Sequence, residues 1–319
     1  MHLVPAAATH NLPAVPERLI AKAIDYAKAS RSEATLETYA KAWKQFVAWC
    51  GPLGLPHLPA SPETVVGYIA DRGDDLRPVT LKKHLAAIAV AHRTAGLQSP
   101  TSSEAVKMTM AGLRRTKGTA PKAKRALRVS HVRQIVGGLG GAHVDVRDRA
   151  LLLLGFITGM RRSEVVGLDV DDIAFEPEGI VVTIRKSKRD QEGRGRQVPV
   201  LRGKHEETCP VRALRAWLTV LCRDTGSLFI RLDRAGSGER LSGKAVALIV
   251  KRRAEQAGLD PVMFSGHSLR RGFCTSAAKA GASEADIART TGHQSVKILR
   301  GYVEAGRLFE NAAARHLDL

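Results

Sequence analysis

A mainly α-helical chain with one small β-sheet, arranged as two domains, is the fold that the sequence predicts. Three observations carry this. Helical periodicity with clear start signals fills the first third, a strongly basic stretch without apolar period follows, and a single pair of β-branched runs flanks a polar turn in the second half.

The first convincing helical pattern begins near Pro16, after a tail of residues 1–15. Ser32 is placed to cap a helix whose apolar face is Leu36, Ala40, Trp43 and Val47, with Tyr39 and Phe46 along its edge. Ser61-Pro62 opens a second helix with a side-chain cap and a pre-set φ. Thr80 precedes Leu81, Leu85 and Ile88 in a third, which Gly96 stops, and Ser103 with Glu104 begins a fourth that ends near Gly118. Residues 16–118 thus form a compact helical domain. RRTKGTAPKAKR, residues 114–125, reads as an exposed connector lying along a phosphate backbone. The linker is set at 119–128, and Lys117, Lys122, Lys124 and Arg125 are the cations expected to meet phosphates.

The second domain, 129–319, is again mainly helical. VRDRALLLLGFITG reads as a buried helix ending at Gly159, and GIVVTIRKSKRDQEGRGRQVPV as a β-hairpin with an exposed basic tip. CPVRALRAWLTVLC and GKAVALIVKRRAEQAG return to helix, and two or three more helices follow. In the tail FENAAARHLDL, Phe309, Ala312, Ala313 and Leu317 share one side of a helix, a face expected to dock on a neighbouring protomer.

Charge narrows the function classes. The 50 Lys and Arg residues outnumber 31 Asp and Glu, a formal net charge of +19, so the surface seeks a polyanion. No helix pairs a basic face with a bulky aromatic and leucine face, which favours nucleic acid over a membrane surface. No segment approaches the roughly 20 apolar residues of a membrane span and no export signal is visible, so a cytoplasmic location is expected. Cys50, Cys209, Cys222 and Cys274 lack CxxC spacing and read as reduced packing residues.

No metal or cofactor is expected. Asp169, Asp171 and Asp172 cluster in LDVDDI, but between a helix and a strand, where aspartates favour turns, and without the glycine and distal glutamate of a calcium loop. HEETC lacks HExxH spacing, and a GxxxxGK[ST] loop is absent. What remains is cationic: TGMRRSE around Arg161, SKRDQ around Lys188, HSLRRG with His267 and Arg270, then His293 and Tyr302 in TGHQSVKILRGYV. Two guanidiniums can hold the non-bridging oxygens of a phosphodiester, imidazoles can shuttle protons, a lysine can protonate a leaving oxygen and a phenol can attack. The same cations are expected to favour the phenolate of Tyr302.

The ordered series TGMRRSEVVGL, SKRDQEGRG, HSLRRGF and TGHQS followed by RGY resembles the tyrosine recombinase (phage integrase) family over essentially the whole chain. The resemblance implies a helical, SAM-like core-binding domain before a tyrosine-recombinase catalytic domain. By matching motif to motif, Arg161 resembles the first catalytic arginine, supported by Glu164, and Lys188 the hairpin lysine. His267 and Arg270 resemble the HxxR pair, His293 the position filled by His or Trp, and Tyr302 the nucleophile. Arg162 stands where many members carry an apolar residue, and the G-x-R spacing favours Arg161; Lys186 competes with Lys188, and the SK pair before Asp190 favours Lys188. The implied activity is site-specific recombination of double-stranded DNA at a core site, through a covalent 3′-phosphotyrosine link, by a tetramer on two duplexes. Such a protein would be nucleoid-associated when bound. A start near Pro16 leaves no room for an extra arm-binding domain. A type IB topoisomerase and a non-catalytic DNA-binding regulator on the same fold are the competing readings.

Overall fold

The computed structural model describes Leu19, Lys22, Tyr26, Leu317 and residues 32–118, 124–185, 195–232, 238–293 and 295–308. Lys122, Lys186, Lys188, Phe309, Ala312 and Ala313 lie outside these, so the hairpin lysine and the apolar tail face are not described. The chain divides into two compact units, Met1–Lys122 and Ala123–Leu319. No described helix is long and apolar enough to cross a membrane.

The first unit holds helices α1 (Glu33–Cys50), α2 (Pro62–Arg72), α3 (Pro78–Thr94) and α4 (Glu104–Lys117). The start signals act as expected at Ser61, whose hydroxyl accepts from Thr64 N, and at Ser103, which accepts from Val106 N. Two expectations change. The buried face of α1 is Ala42, Trp43, Phe46 and Cys50, and Leu36 is exposed, so the helix is rotated from the Leu36–Ala40–Trp43–Val47 face. The cause is aromatic: Phe46 and Trp49 both pack on Tyr68 of α2, at centroid separations of 5.0 and 5.1 Å. The third helix starts at Pro78, before Thr80, because proline is favoured in the first turn.

The second unit contains α5 (Val129–Gly137), α6 (His143–Ile157), α7 (Arg162–Gly167), an antiparallel sheet, α8 (Pro210–Leu221) and α9 (Gly243–Gln256). It ends with α10 (His267–Lys279), α11 (Glu284–Thr291) and α12 (Val296–Gly306). The sheet has three strands in the order β1 (Ile173–Phe175), β2 (Gly179–Ile184) and β3 (Arg196–Leu201). The hairpin β2–β3 pairs Ile180 with Val200 and Val182 with Val198, all four buried; its last pair is Ile184 with Arg196. β1 is an addition that three residues were too few to announce.

Residues 124–128 pack on the second unit. Arg125 N donates to Met263 O, Leu127 N donates to Ser268 O, and the Leu127 side chain is fully buried. α10 approaches this segment so closely that a Cβ at Gly272 would stand 1.9 Å from Leu127 O. The segment therefore presses on the helix that begins with His267.

Candidate active site

The site is assembled where α6, α7, α10 and α11 present their ends. α6 stops at Thr158, and Gly159 reverses the chain at φ +56°, where a Cβ would strike Thr291 and Phe273. This turn delivers Arg161 to the start of α7. There Glu164, one turn in, reaches back to accept from Arg161 N at 3.0 Å and pairs with Arg161 Nη1 at 2.5 Å. Of the adjacent arginines, Arg161 makes the carboxylate contact, while Arg162 lies against Gly243 and Gly266.

Glu164 is buried and has a second cation, Arg196, at 2.9 Å. Burial alone would push its pKa up, but Arg196 and Arg161 together hold it below the ordinary carboxylate value. α11 ends on Thr291, and Gly292 follows at φ +66°, leaving the last carbonyls of that helix without intrahelical donors. Three arginines take them. Arg270 Nη1 donates to Thr291 O at 2.6 Å and to Gly159 O at 2.7 Å, Arg196 Nη2 to Thr291 O at 3.3 Å, and Arg161 Nη2 to Gly292 O at 3.4 Å. The negative end of the helix dipole thus faces the guanidiniums.

Arg270 is 1% exposed, and its Nη2 has no hydrogen-bond partner. Burial, followed by the charge of Arg161, lowers its pKa to about 10, so it stays protonated at neutral pH. Three guanidiniums against one carboxylate, with Arg270 and Glu164 buried, leave a positive surplus. Such a surplus is suited to an anion.

Tyr302, half-buried on α12, places its hydroxyl 3.0 Å from His267 Nε2 at the start of α10. The guanidinium of Arg271 lies 5.7 Å from the centre of the tyrosine ring, and the His293 ring lies 5.9 Å from it. Thr291 Oγ1 donates its only proton to Ile287 O, so at 2.6 Å His293 Nδ1 is the donor to Thr291 Oγ1. Burial, then Arg270, Arg271, Arg161 and Arg162, lowers the pKa of His267, so its imidazole is neutral at pH 7. Burial raises the Tyr302 pKa, outweighing the opposing pull of Arg271 and Arg270. Without an anion bound, Tyr302 is a neutral phenol.

Arg161, Glu164, His267, Arg270, His293 and Tyr302 therefore meet in one region of the second unit. Sequence reasoning missed Arg196, Arg271 and the carbonyls of Gly159, Thr291 and Gly292. Arg196 opens a β-branched run in an already basic segment, where spacing does not single it out. The aspartate cluster acts as a set of local anchors: Asp169 and Asp172 bond Arg185, and Asp169 also bonds Arg240.

A fold of this kind, with a histidine-bonded tyrosine beside a buried arginine–carboxylate cluster, has relatives. The phage integrase family pattern matches residues 125–307. An integrase/recombinase XerD homologue of Selenomonas ruminantium is 38% identical over 307 residues, covering 94% of this chain and 90% of that protein. The integrase of the Tn1549 transposon, solved in complex with transposon right-end DNA, superposes with a TM-score of 0.64 at 17% identity, covering 95% of this chain and 99% of that one. A lambda integrase tetramer bound to a Holliday junction gives 0.61 at 16% identity, over 94% and 83%. The chain belongs to the phage integrase family. It is a tyrosine recombinase, an enzyme of DNA strand cleavage and rejoining.

Proposed function

We propose that Tyr302 is the nucleophile of site-specific recombination and that Arg161, Arg270, His267, His293 and Lys188 act on the phosphodiester it attacks. The observation that carries this reading is the Tyr302 hydroxyl, 3.0 Å from His267 Nε2 and next to the arginine cluster. Tyr302 Oη bonds to phosphorus as the bond from phosphorus to O5′ breaks. The phenolic proton passes to His267, and the leaving 5′ oxygen takes a proton from Lys188. The products are a 3′-phosphotyrosine and a free 5′-hydroxyl. Rejoining reverses these steps with the 5′-hydroxyl of another strand. Arg161 and Arg270 hold the non-bridging oxygens, with Arg270 Nη2 as the buried donor awaiting an acceptor. Glu164 orients Arg161.

The substrate is double-stranded DNA with a specific core site. Exchange between two duplexes breaks four strands and so requires four tyrosines, which argues for a tetramer; the lambda integrase tetramer on a Holliday junction supports the same assembly. The helical segment 16–118 grips the duplex with Lys117 at its end, 119–128 crosses it with Lys122, Lys124 and Arg125 near phosphates, and 129–319 does the chemistry. The protein works in the cytoplasm, at the nucleoid when bound.

Trapping on nicked duplexes tests the assignment. Tyr302→Phe loses only the hydroxyl and is expected to bind DNA normally while forming no denaturation-resistant adduct. An adduct that persisted in this variant would place the nucleophile elsewhere.

A further inference from the structure

Arg196 has no part in the scheme above, yet it touches Glu164, Thr291 and the Gly292 turn. It stands at the first residue of β3, in register with Ile184 at the end of β2. Its Nη2 donates to Glu164 Oε2 at 2.9 Å and to Thr291 O at 3.3 Å. Its Nη1 lies where a Cβ on Gly292 would come within 2.8 Å, so the guanidinium rests flat on the turn that leads into His293. Only 18% of the side chain is exposed.

We infer that Arg196 is a positioning residue for strand cleavage, fastening the β2–β3 hairpin to the Glu164–Arg161 pair and to the Thr291–Gly292 turn. This rests on the reaction proposed for Tyr302. Thr291 O is shared by Arg196 and Arg270, and Glu164 is shared by Arg196 and Arg161, so one guanidinium fixes the distance between the two arginines of the site. The same planar fork sets where the hairpin ends and where the segment to His293 and Tyr302 begins. Both bonds leave the one nitrogen Nη2, whose two N–H groups are fixed in the guanidinium plane; a lysine ammonium supplies the charge without that fixed plane.

The requirement for glycine at 292 follows as well. At φ +66° a side chain is strained in any case, but its Cβ would also fall 2.9 Å from the guanidinium carbon of Arg196 and push the fork off Glu164. Displacing Arg196 leaves Glu164 held by Arg161 alone and takes one donor from the Thr291–Gly292 turn, so both are less firmly placed.

The experiment compares Arg196→Ala, Arg196→Lys, Gly292→Ala and the double variant Arg196→Lys/Gly292→Ala. It measures single-turnover adduct formation on nicked DNA, affinity for the same duplex and the melting temperature. Wild type and Tyr302→Phe run alongside, so a fault in the reading of Tyr302 shows in the controls and not in the variants. Arg196→Lys is expected to fold and bind within about 2-fold of wild type but to form adduct up to about 100-fold more slowly, the scale of loss from a small misplacement of reacting groups. Gly292→Ala is expected to reproduce that defect, and the double variant to be no slower than the worse single one, because both displace the same fork. Wild-type rates in Arg196→Lys would overturn the inference, since charge alone would then suffice. Equal losses of binding and cleavage would make Arg196 a phosphate clamp, and multiplying defects in the double variant would separate it from the Gly292 turn. Should Arg196→Ala fail to fold, the lysine and Gly292→Ala series decides.

Discussion

His267 and Tyr302 sit as a neutral pair because burial pushes their pKa values in opposite directions, the imidazole down and the phenol up. That arrangement stores the proton on the tyrosine until a phosphate arrives. In the proposed reaction His267 Nε2 accepts the phenolic proton as Oη attacks, which a protonated imidazole, having no lone pair, could not do. Because the folded pKa lies below 6.5, activity is retained as pH falls from neutrality to about 6.5 and is lost only below it. Adduct formation at limiting DNA reports groups of the free enzyme, so its pH profile is the measurement. An acid limb above 6.5 would contradict the neutral pair. On the phenol the pull of Arg271 and Arg270 is already present, and burial outweighs it, a balance that residue spacing alone does not carry.

At the scale of elements, the close approach of α10 to residues 124–127 is the contact with least tolerance. Gly272 lets Leu127 O come to a distance that no side chain permits, and the same helix carries His267 and Arg270. Gly272→Ala is expected to destabilise the protein by about 1–3 kcal/mol, as overpacking does, and to slow adduct formation by tilting the start of α10. Thermal denaturation beside single-turnover cleavage checks both, and an unchanged melting temperature would mean that the segment simply steps aside. This contact was invisible in the sequence, because glycine inside a helix signals a close approach without naming the partner. Helix starts at Ser61 and Ser103 were legible, since a cap and its N–H lie within one turn. The face of α1 was not, because it depends on Tyr68 from another helix. In the site, Arg161, Glu164, His267, Arg270, His293 and Tyr302, which motif spacing singled out, come together, while Lys188 lies outside the described residues; Arg196 and the turn carbonyls were not legible, since they join the site through tertiary contacts that no local pattern encodes.

For the whole molecule, a net charge of +19 predicts that binding to any duplex is strong at low salt and weakens steeply as salt rises. The connector cations do not contribute alike. Lys117 Nζ already donates to Asp74 O at 2.9 Å and lies 3.7 Å from the Asp74 carboxylate, and Lys124 Nζ donates to Val262 O at 2.6 Å. To reach a phosphate, each must trade a bond it has. Arg125, exposed and held to the second unit through its backbone, gives its guanidinium without that loss. Arg125→Ala is therefore expected to weaken binding to core-site and random duplexes alike and to flatten the salt dependence by about 0.9 log unit, the slope of one phosphate contact. Lys117→Ala is expected to change it less, and Asp74→Asn, which removes the competing carboxylate, to steepen it in wild-type background. Affinities for both duplexes across a salt series decide this. A larger effect at the core site than on random DNA would show that Arg125 reads bases or their shape, and equal slopes for Lys117→Ala and Arg125→Ala would show that the Asp74 contact breaks freely on binding.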